Sequence, residues 1–305
     1  AALVDLGVKK GDRVGLLIPN TPQFVIAYFA ILKAGGVVVA TNPQYTGREI
    51  VHQANDSGME MMILMSNYYQ LVKSIQDQTG IKRIIVTNIK ETLPPILSLL
   101  FSLTKEKKGG FRVSLAEDDI WLPDLLKKYA AAEKPVVDVG SDDTAIFQYS
   151  GGTTGVPKAA IGLHRNLVAN TIQMIYWITS GVEGEEVVMM AIPLYHVYGM
   201  VAGMNYGLSV GASLVMVPDP RDLKDLLGNM QKYQTTIFPA VPALYNAINN
   251  NADVKAGKYD LSAIKACISG SAPLLRETKE TFERLTGGKV FEGYGLSETP
   301  TATHC

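Results

Sequence analysis

Short apolar runs and longer amphipathic segments take turns along this chain, and that alternation constrains its fold more than any other feature. The runs at 13–18 (RVGLLI), 37–40, 61–64, 84–86 and 145–148 are bounded by turn residues, which is the pattern of buried strands. Helical spacing marks 47–55, 68–78 and the stretch opened by Pro22, where Phe24, Ala27, Tyr28 and Ile31 share a face and Gly35 marks the stop. The second half repeats the style, with strands expected at 187–192, 214–217, 235–238, 263–269 and 289–292 and helices at 166–178, 223–233, 242–250 and 274–285. Such turn-taking implies α/β architecture with mostly parallel sheets flanked by helices. A length of 305 residues suits two packed α/β subdomains, expected at 1–182 and 183–305.

The formal net charge is −1, from 28 basic and 29 acidic residues, so no overall field draws nucleic acid or an anionic surface. Two cysteines, Cys267 and Cys305, are too few for a disulfide framework, and a reducing cytoplasm fits best. No signal peptide opens the chain, and no apolar run reaches the roughly 20 residues needed to span a bilayer. The chain begins in the tail of an apparent helix, AALVDLGV, and ends on TPTATHC, so it is expected to be part of a longer protein.

One segment departs from the pattern. Residues 93–112 read LPPILSLLFSLTKEKKGGFR, an apolar stretch followed by a basic cluster. With its lysines it suits an interfacial helix at a membrane surface. The other reading, a helix docked on its own domain, follows the usual fate of apolar faces.

The stretch YSGGTTGVPKAA at 149–160 is a loop with a task. Gly151, Gly152 and Gly155 allow backbone N–H groups to form an anion-binding nest, while Ser150, Thr153 and Thr154 add hydroxyls and Lys158 adds a mobile positive charge. Walker spacing fails, because Val156 and Pro157 separate the third glycine from Lys158 and no Ser or Thr follows it. A kinase-type glycine loop fails as well, and an ordinary glycine-rich turn is the remaining alternative.

YSGGTTGVPK resembles the phosphate-binding signature of the AMP-forming acyl-CoA synthetases, within the acyl-activating, adenylate-forming superfamily. Other stretches follow in that family's order. PLYHVYGM at 193–200 is similar to its P-x-x-H-x-x-G segment, which implies that His196 lies near the carboxylate substrate and that Val197, Tyr198, Gly199 and Gly203 line an acyl pocket. A lone histidine is more often structural, but a place between Pro193 and Gly199 reverses that preference. SGSAPL at 269–274 resembles the adenine-binding turn, implying contacts from Gly270, Ser271, Ala272 and Pro273; without its context it is only a strand-to-helix turn. EGYGLSETP at 292–300 resembles the motif in which Tyr294 stacks on adenine, Ser297 contacts the α-phosphate and Glu298 holds Mg²⁺, with Glu292, Gly293 and Gly295 in the nucleotide site. The early region 12–43 matches the family's style too. Two departures are Ala159, where a glycine is usual, and Ser297, where threonine is more common.

The resemblance implies ATP-dependent activation of a long- or medium-chain fatty acid to an acyl-adenylate, then thioester formation with coenzyme A. Lys158, His196 and Glu298 are the expected catalytic residues, with ATP, Mg²⁺ and coenzyme A as cofactors and cosubstrates and only small molecules as substrates. The family's ribose-binding aspartate motif, hinge and small C-terminal domain are expected beyond Cys305, so this stretch alone is expected to be catalytically crippled. The fatty-acid preference follows from NPQYTGREI, from 93–112 and from GMVAGMNYGLSVGA, whose small residues leave room for a chain and whose methionines adapt to it. The same residues suit a helix packed in the core. Alternatives are an aryl- or coumarate-type ligase, an adenylating enzyme that loads a carrier protein, and a non-catalytic ATP-binding module. The expected location is cytoplasmic, peripheral at the membrane inner surface.

Overall fold

The apolar runs of the first half form a seven-stranded sheet in a computed structural model that describes residues 1–150 and 156–304. The chain divides into two units, Ala1–His164 and Arg165–Cys305. The first unit runs α1 (Ala2–Asp5), β1 (Arg13–Leu17), α2 (Pro22–Lys33), β2 (Val37–Ala40), α3 (Gly47–Ser57), β3 (Met61–Met65), α4 (Tyr69–Ile75), β4 (Arg83–Thr87), α5 (Pro95–Thr104), β5 (Ile120–Trp121), α6 (Leu122–Lys128), β6 (Thr144–Ser150) and β7 (Lys158–Leu163). The strand order is β5-β4-β3-β1-β2-β6-β7, parallel throughout except for the antiparallel β6–β7 pair.

Local chemistry explains where these elements start and stop. Thr46 opens α3 with a capping box: its backbone N–H donates to Glu49 at 2.7 Å while its hydroxyl accepts from the Glu49 N–H. Gly35 ends the α2 turn at φ +78°, a conformation that disfavours any residue with a Cβ. Strands β2 and β3 are buried along their whole length, because helices cover both faces of a parallel sheet. Leu17, Val39, Met62 and Ile84 pack with Tyr69 and Val72 of α4 in one layer of the core.

The second unit takes up most of α7 (His164–Trp177), then β8 (Val187–Met190), a π-helical segment (Tyr198–Asn205), α8 (Tyr206–Ser209), β9 (Ser213–Met216), α9 (Leu223–Lys232), β10 (Ile237–Ala240), α10 (Pro242–Asn250), α11 (Ala252–Lys255), β11 (Ala266–Ser269), α12 (Arg276–Thr286), β12 (Lys289–Glu292), β13 (Tyr294–Leu296) and β14 (Thr301–His304). Its parallel sheet has the order β12-β11-β10-β8-β9, and β13 and β14 form a separate hairpin. Phe238 and Phe282 stack in its core, Tyr245 meets both rings edge-on, and Leu226, Met230 and Val290 pack with them. The fold is therefore the expected one of mostly parallel sheets flanked by helices.

Several details differ from expectation. The units divide at His164/Arg165, earlier than 182/183, because Asn170 of α7 exchanges amide hydrogen bonds with the backbone of Ala302 at 2.7 and 3.2 Å and Trp177 packs edge-on against Phe291. Tyr149 and Ser150 belong to β6, and Lys158 to Ala160 belong to β7, so the glycine-rich loop is shorter than 149–160 and joins an antiparallel pair. The docked reading of 93–112 holds for only one side of its apolar helix: Phe101 and Ser102 of α5 are half-buried, whereas Ile96, Leu97, Leu99, Leu100 and Leu103 are exposed.

Candidate functional site

In the second unit the connection from β8 leads to β9 on one side, whereas β10, β11 and β12 are added on the other. Open parallel sheets bind ligands where the strand order reverses, outside the carboxyl ends of the strands. The segments that leave β8, β11 and β12 at that edge carry His196, Gly270 with Ser271, and Tyr294. They line an open cleft of about 750 Å³ with Val197, Tyr198, Gly293, Gly295 and Ser297.

His196 has its tautomer set by the backbone. Its Nδ1 accepts the N–H of Tyr198 at 3.2 Å, so the proton of a neutral imidazole sits on Nε2. Burial lowers its pKa, which keeps the ring neutral at physiological pH. The close turn that presents it depends on Gly199, because a Cβ there would collide with the carbonyl of Pro193. Gly203 is likewise pressed against Met190, 2.6 Å from a would-be Cβ, and neither glycine lines this cleft. Residues 198–204 are buried in the π-helical segment, of which Tyr198 and Ala202 reach the cleft.

The turn after β11 is held from two sides. Tyr198 places its ring beside Gly270, where an added Cβ would come within 3.3 Å of it, and its hydroxyl donates to the Ile268 carbonyl at 2.6 Å. Ser271 takes φ +73°, in the left-handed region, and lines the cleft with Gly270. Glu292 accepts the Leu274 N–H at 3.0 Å and so braces the turn; it does not line the cleft, nor do Ala272 and Pro273.

The β13–β14 hairpin presents Tyr294, 61% exposed, with its ring tilted against His304. Ser297 lines the cleft, whereas Glu298 is exposed and lies outside the lining. Thr301 anchors the hairpin by donating its hydroxyl to the Val197 carbonyl at 2.6 Å. Met174, Ile268, Leu296 and Thr301 line the cleft without having been singled out from sequence: Leu296 sits inside the 292–300 motif between residues that were named, whereas Met174, Ile268 and Thr301 lie outside every short motif.

In the first unit Ser150 stands opposite Lys158 in the β6–β7 register. Gly151, Gly152, Thr153, Thr154 and Gly155 lie outside the described residues. The hairpin is anchored at its shoulders: Tyr149 donates to Asp56 at 2.6 Å, and the His52 Nε2–H donates to the Pro157 carbonyl at 3.0 Å. Burial, with Asp56 beside it, raises the Tyr149 pKa and keeps that phenol protonated. Lys158 is exposed and has no ion-pair partner among the described residues.

Among the described residues no group of three or more His, Cys, Asp or Glu side chains could hold a metal ion. Mg²⁺ keeps waters and shares its coordination between nucleotide phosphates and one or two carboxylates, so a single exposed carboxylate such as Glu298 fits an ion that arrives with ATP.

The family profile of AMP-binding enzymes matches residues 1–305. The chain is 36% identical over 301 residues to a long-chain-fatty-acid–CoA ligase of Bacillus subtilis (strain 168), covering 98% of this chain and 53% of that protein. It is 34% identical over 304 residues to a long-chain-fatty-acid–CoA ligase of Escherichia coli O157:H7, covering 96% and 52%. The fold matches a long-chain-fatty-acid–CoA ligase from Archaeoglobus fulgidus with TM-score 0.78 at 24% identity, over 99% of this chain and 55% of that one. An anthranilate CoA ligase in complex with anthranoyl-AMP gives TM-score 0.82 at 22% identity, over 99% and 53%. The chain thus spans about half the length of the curated relatives it matches.

Proposed function

The chain belongs to the family of AMP-binding enzymes, and we propose that the protein containing it converts a long- or medium-chain fatty acid to its coenzyme A thioester, releasing AMP and pyrophosphate. A carboxylate oxygen attacks the α-phosphorus of ATP, the bond from that phosphorus to the bridging oxygen breaks, and pyrophosphate leaves. The thiol sulfur of coenzyme A then attacks the acyl carbon and AMP departs. No covalent bond to the protein is needed, so the protein's task is positioning and charge stabilisation.

The observation that carries this reading is the cleft at the carboxyl edge of the second sheet, which gathers His196, Gly270, Ser271, Tyr294 and Ser297 from segments far apart in sequence. Neutral His196, with its proton on Nε2, is suited to donate to the fatty carboxylate and orient it. Tyr294, whose ring is exposed, is assigned to stack on adenine, the Gly270–Ser271 backbone to the purine edge, where small residues are needed, and the Ser297 hydroxyl to the α-phosphate; all four residues line the cleft. Ser150 and Lys158, with the loop that joins them, are assigned to the outer phosphates. Glu298 would hold Mg²⁺ together with ATP, and the ion would supply charge neutralisation of the phosphates that repel the incoming carboxylate. ATP and coenzyme A as cosubstrates suit a cytoplasmic site of action, and a peripheral place at the membrane inner surface rests on the segment 93–112 alone. Identity above 30% to long-chain-fatty-acid–CoA ligases favours an alkyl over an aryl substrate.

Isotope exchange between ATP and pyrophosphate tests the reading, measured on the full-length protein across alkyl and phenyl carboxylic acids. Exchange driven by long- and medium-chain acids, and lost in His196→Ala, is expected. Exchange with phenyl acids alone assigns an aryl ligase, and ATP binding without exchange assigns a non-catalytic module.

A further inference from the structure

Helix α5 carries its apolar stripe in solvent. Ile96, Leu99, Leu100 and Leu103 follow the i, i+3, i+4, i+7 spacing that puts side chains on one helical face, and they are 75%, 62%, 50% and 74% exposed. Scattered exposed leucines are ordinary, but a contiguous stripe on one helix marks a surface that something covers.

The helix is not loose. Its other side is fastened to the first unit: the Phe101 ring packs edge-on against Phe111 with centroids 5.4 Å apart, and Arg112 donates to the Ser102 carbonyl at 3.2 Å. Just past its end Glu106 is buried, paired with Lys90 at 2.6 Å and bonded by the Asn88 amide at 3.2 Å. The polar and aromatic anchors thus hold the helix while its leucines stay outside.

What covers the stripe is indicated by charge. Lys105, Lys107 and Lys108 follow at once, all exposed and without an ion-pair partner among the described residues. The Gly109 N–H donates to the Lys105 carbonyl at 2.8 Å, so the chain keeps coiling past the helix end, and Lys107 stands four residues beyond Leu103. The acidic residue in this turn, Glu106, faces inward and is neutralised by Lys90 and Arg112. The outward surface is therefore apolar along the helix and cationic at its end.

We propose that α5 and its basic turn dock on an anionic lipid surface, the leucine stripe entering the boundary between headgroups and acyl chains and the lysines meeting headgroup phosphates. The apolar stripe is far shorter than a spanning helix, so the segment lies on the membrane and does not cross it. Docking stands apart from the ligase reading, because it needs neither ATP nor a fatty acid.

Vesicle sedimentation without substrates tests it, using phosphatidylcholine vesicles with and without phosphatidylglycerol and both the 305-residue chain and the full-length protein. Expected is binding to the anionic vesicles that weakens with salt, a measurement that needs no variant. Leu99→Asp/Leu100→Asp should abolish binding, with Ile96→Asp/Leu103→Asp as a second variant should the first fail to fold. Neutralising Lys105, Lys107 and Lys108 to Gln should lower partitioning by about fivefold per lysine. Salt-independent or absent binding overturns the proposal, as does equal binding by the aspartate variants. Two further results overturn it by naming another occupant: a dimer that Leu99→Asp/Leu100→Asp dissociates without any vesicle binding, or binding by the 305-residue chain that the full-length protein lacks.

Discussion

The phenol of Tyr198 donates to the Ile268 carbonyl at 2.6 Å and reaches the Ala240 carbonyl at 3.1 Å, tying the segment after β8 to the ends of β10 and β11. Tyr245 donates to the same Ile268 oxygen at 2.9 Å, so that acceptor keeps a partner when Tyr198 loses its hydroxyl. Tyr198→Phe should therefore cost only about 1 kcal/mol of stability. Tyr198→Ala also removes the ring beside Gly270 and should cost about 3–5 kcal/mol. Denaturant unfolding distinguishes them, and equal losses would show that the hydroxyl, not the ring, holds the turn.

The histidines set an acid limit. Burial lowers the pKa of His196 below its ordinary value of 6.5, and burial does the same for His164 against the opposing pull of Asp143. Between the ordinary and the lowered values the unfolded chain binds more protons than the folded one. Stability should thus fall as pH drops through about 6.5 and level off once the folded imidazoles protonate. His196→Gln, which cannot titrate, should flatten part of that slope. Thermal midpoints measured across this window check it; a midpoint that rises on acidification contradicts the sign.

The strands β1 to β4, β6, β8, β10 and β11 were legible because parallel strands covered on both faces appear as largely apolar runs, and the edge strands β9 and β12 were legible from short apolar runs although β9 buries no residue and β12 only Val290. Strand β7 was hidden, since KAAIGL mixes exposed Lys158 and Ile161 with a glycine and pairs only at the sheet edge. The β13–β14 hairpin was hidden for a similar reason: Tyr294 to Leu296 are all exposed, so no apolar run announces them. Site residues at strand ends could be read from short motifs, but Thr301 and Asn170 act through partners 104 and 132 residues away, and local spacing carries no trace of such pairs. The exposure of α5 was illegible as well, because an apolar face looks the same in sequence whether it is buried or presented.

Two glycines should respond oppositely to the same change. At Gly199 a Cβ collides with backbone carbonyls that cannot swing aside, so Gly199→Ala should cost about 2 kcal/mol or more and disturb His196. Gly228, in helix α9 and exposed, has open space around the same position, so Gly228→Ala should stabilise by about 1 kcal/mol. Paired unfolding curves suffice, and similar effects at both positions would contradict the steric account.

Tyr294 separates binding from stability. It is 61% exposed, so Tyr294→Ala should move stability by no more than about 0.5 kcal/mol. Loss of a stacking ring should nevertheless weaken ATP binding about tenfold, with Tyr294→Phe close to the unaltered protein. Calorimetric titration with ATP reads this directly, and unchanged affinity in Tyr294→Ala removes the residue from the adenine site.

The buried carboxylate of Glu106 gives the last prediction. Burial alone raises its pKa, but the 2.6 Å bond to Lys90 and the charges of Lys90 and Arg112 outweigh that, and the net shift is downward. A depressed carboxylate pKa means stability that is present above the ordinary value of 4.5 and lost as pH falls through the lowered one. Lys90→Met removes the principal partner and leaves the carboxylate with Arg112 at 3.6 Å and the Asn88 amide. It should cost about 2 kcal/mol at neutral pH. The cost should shrink below pH 4.5, where protonated Glu106 no longer needs a cation. Adding Glu106→Gln to Lys90→Met should recover most of the loss at neutral pH, because the uncompensated charge is then gone. Additive losses in this cycle, or a cost that does not vary with pH, would show that the pair does not hold the basic turn behind α5.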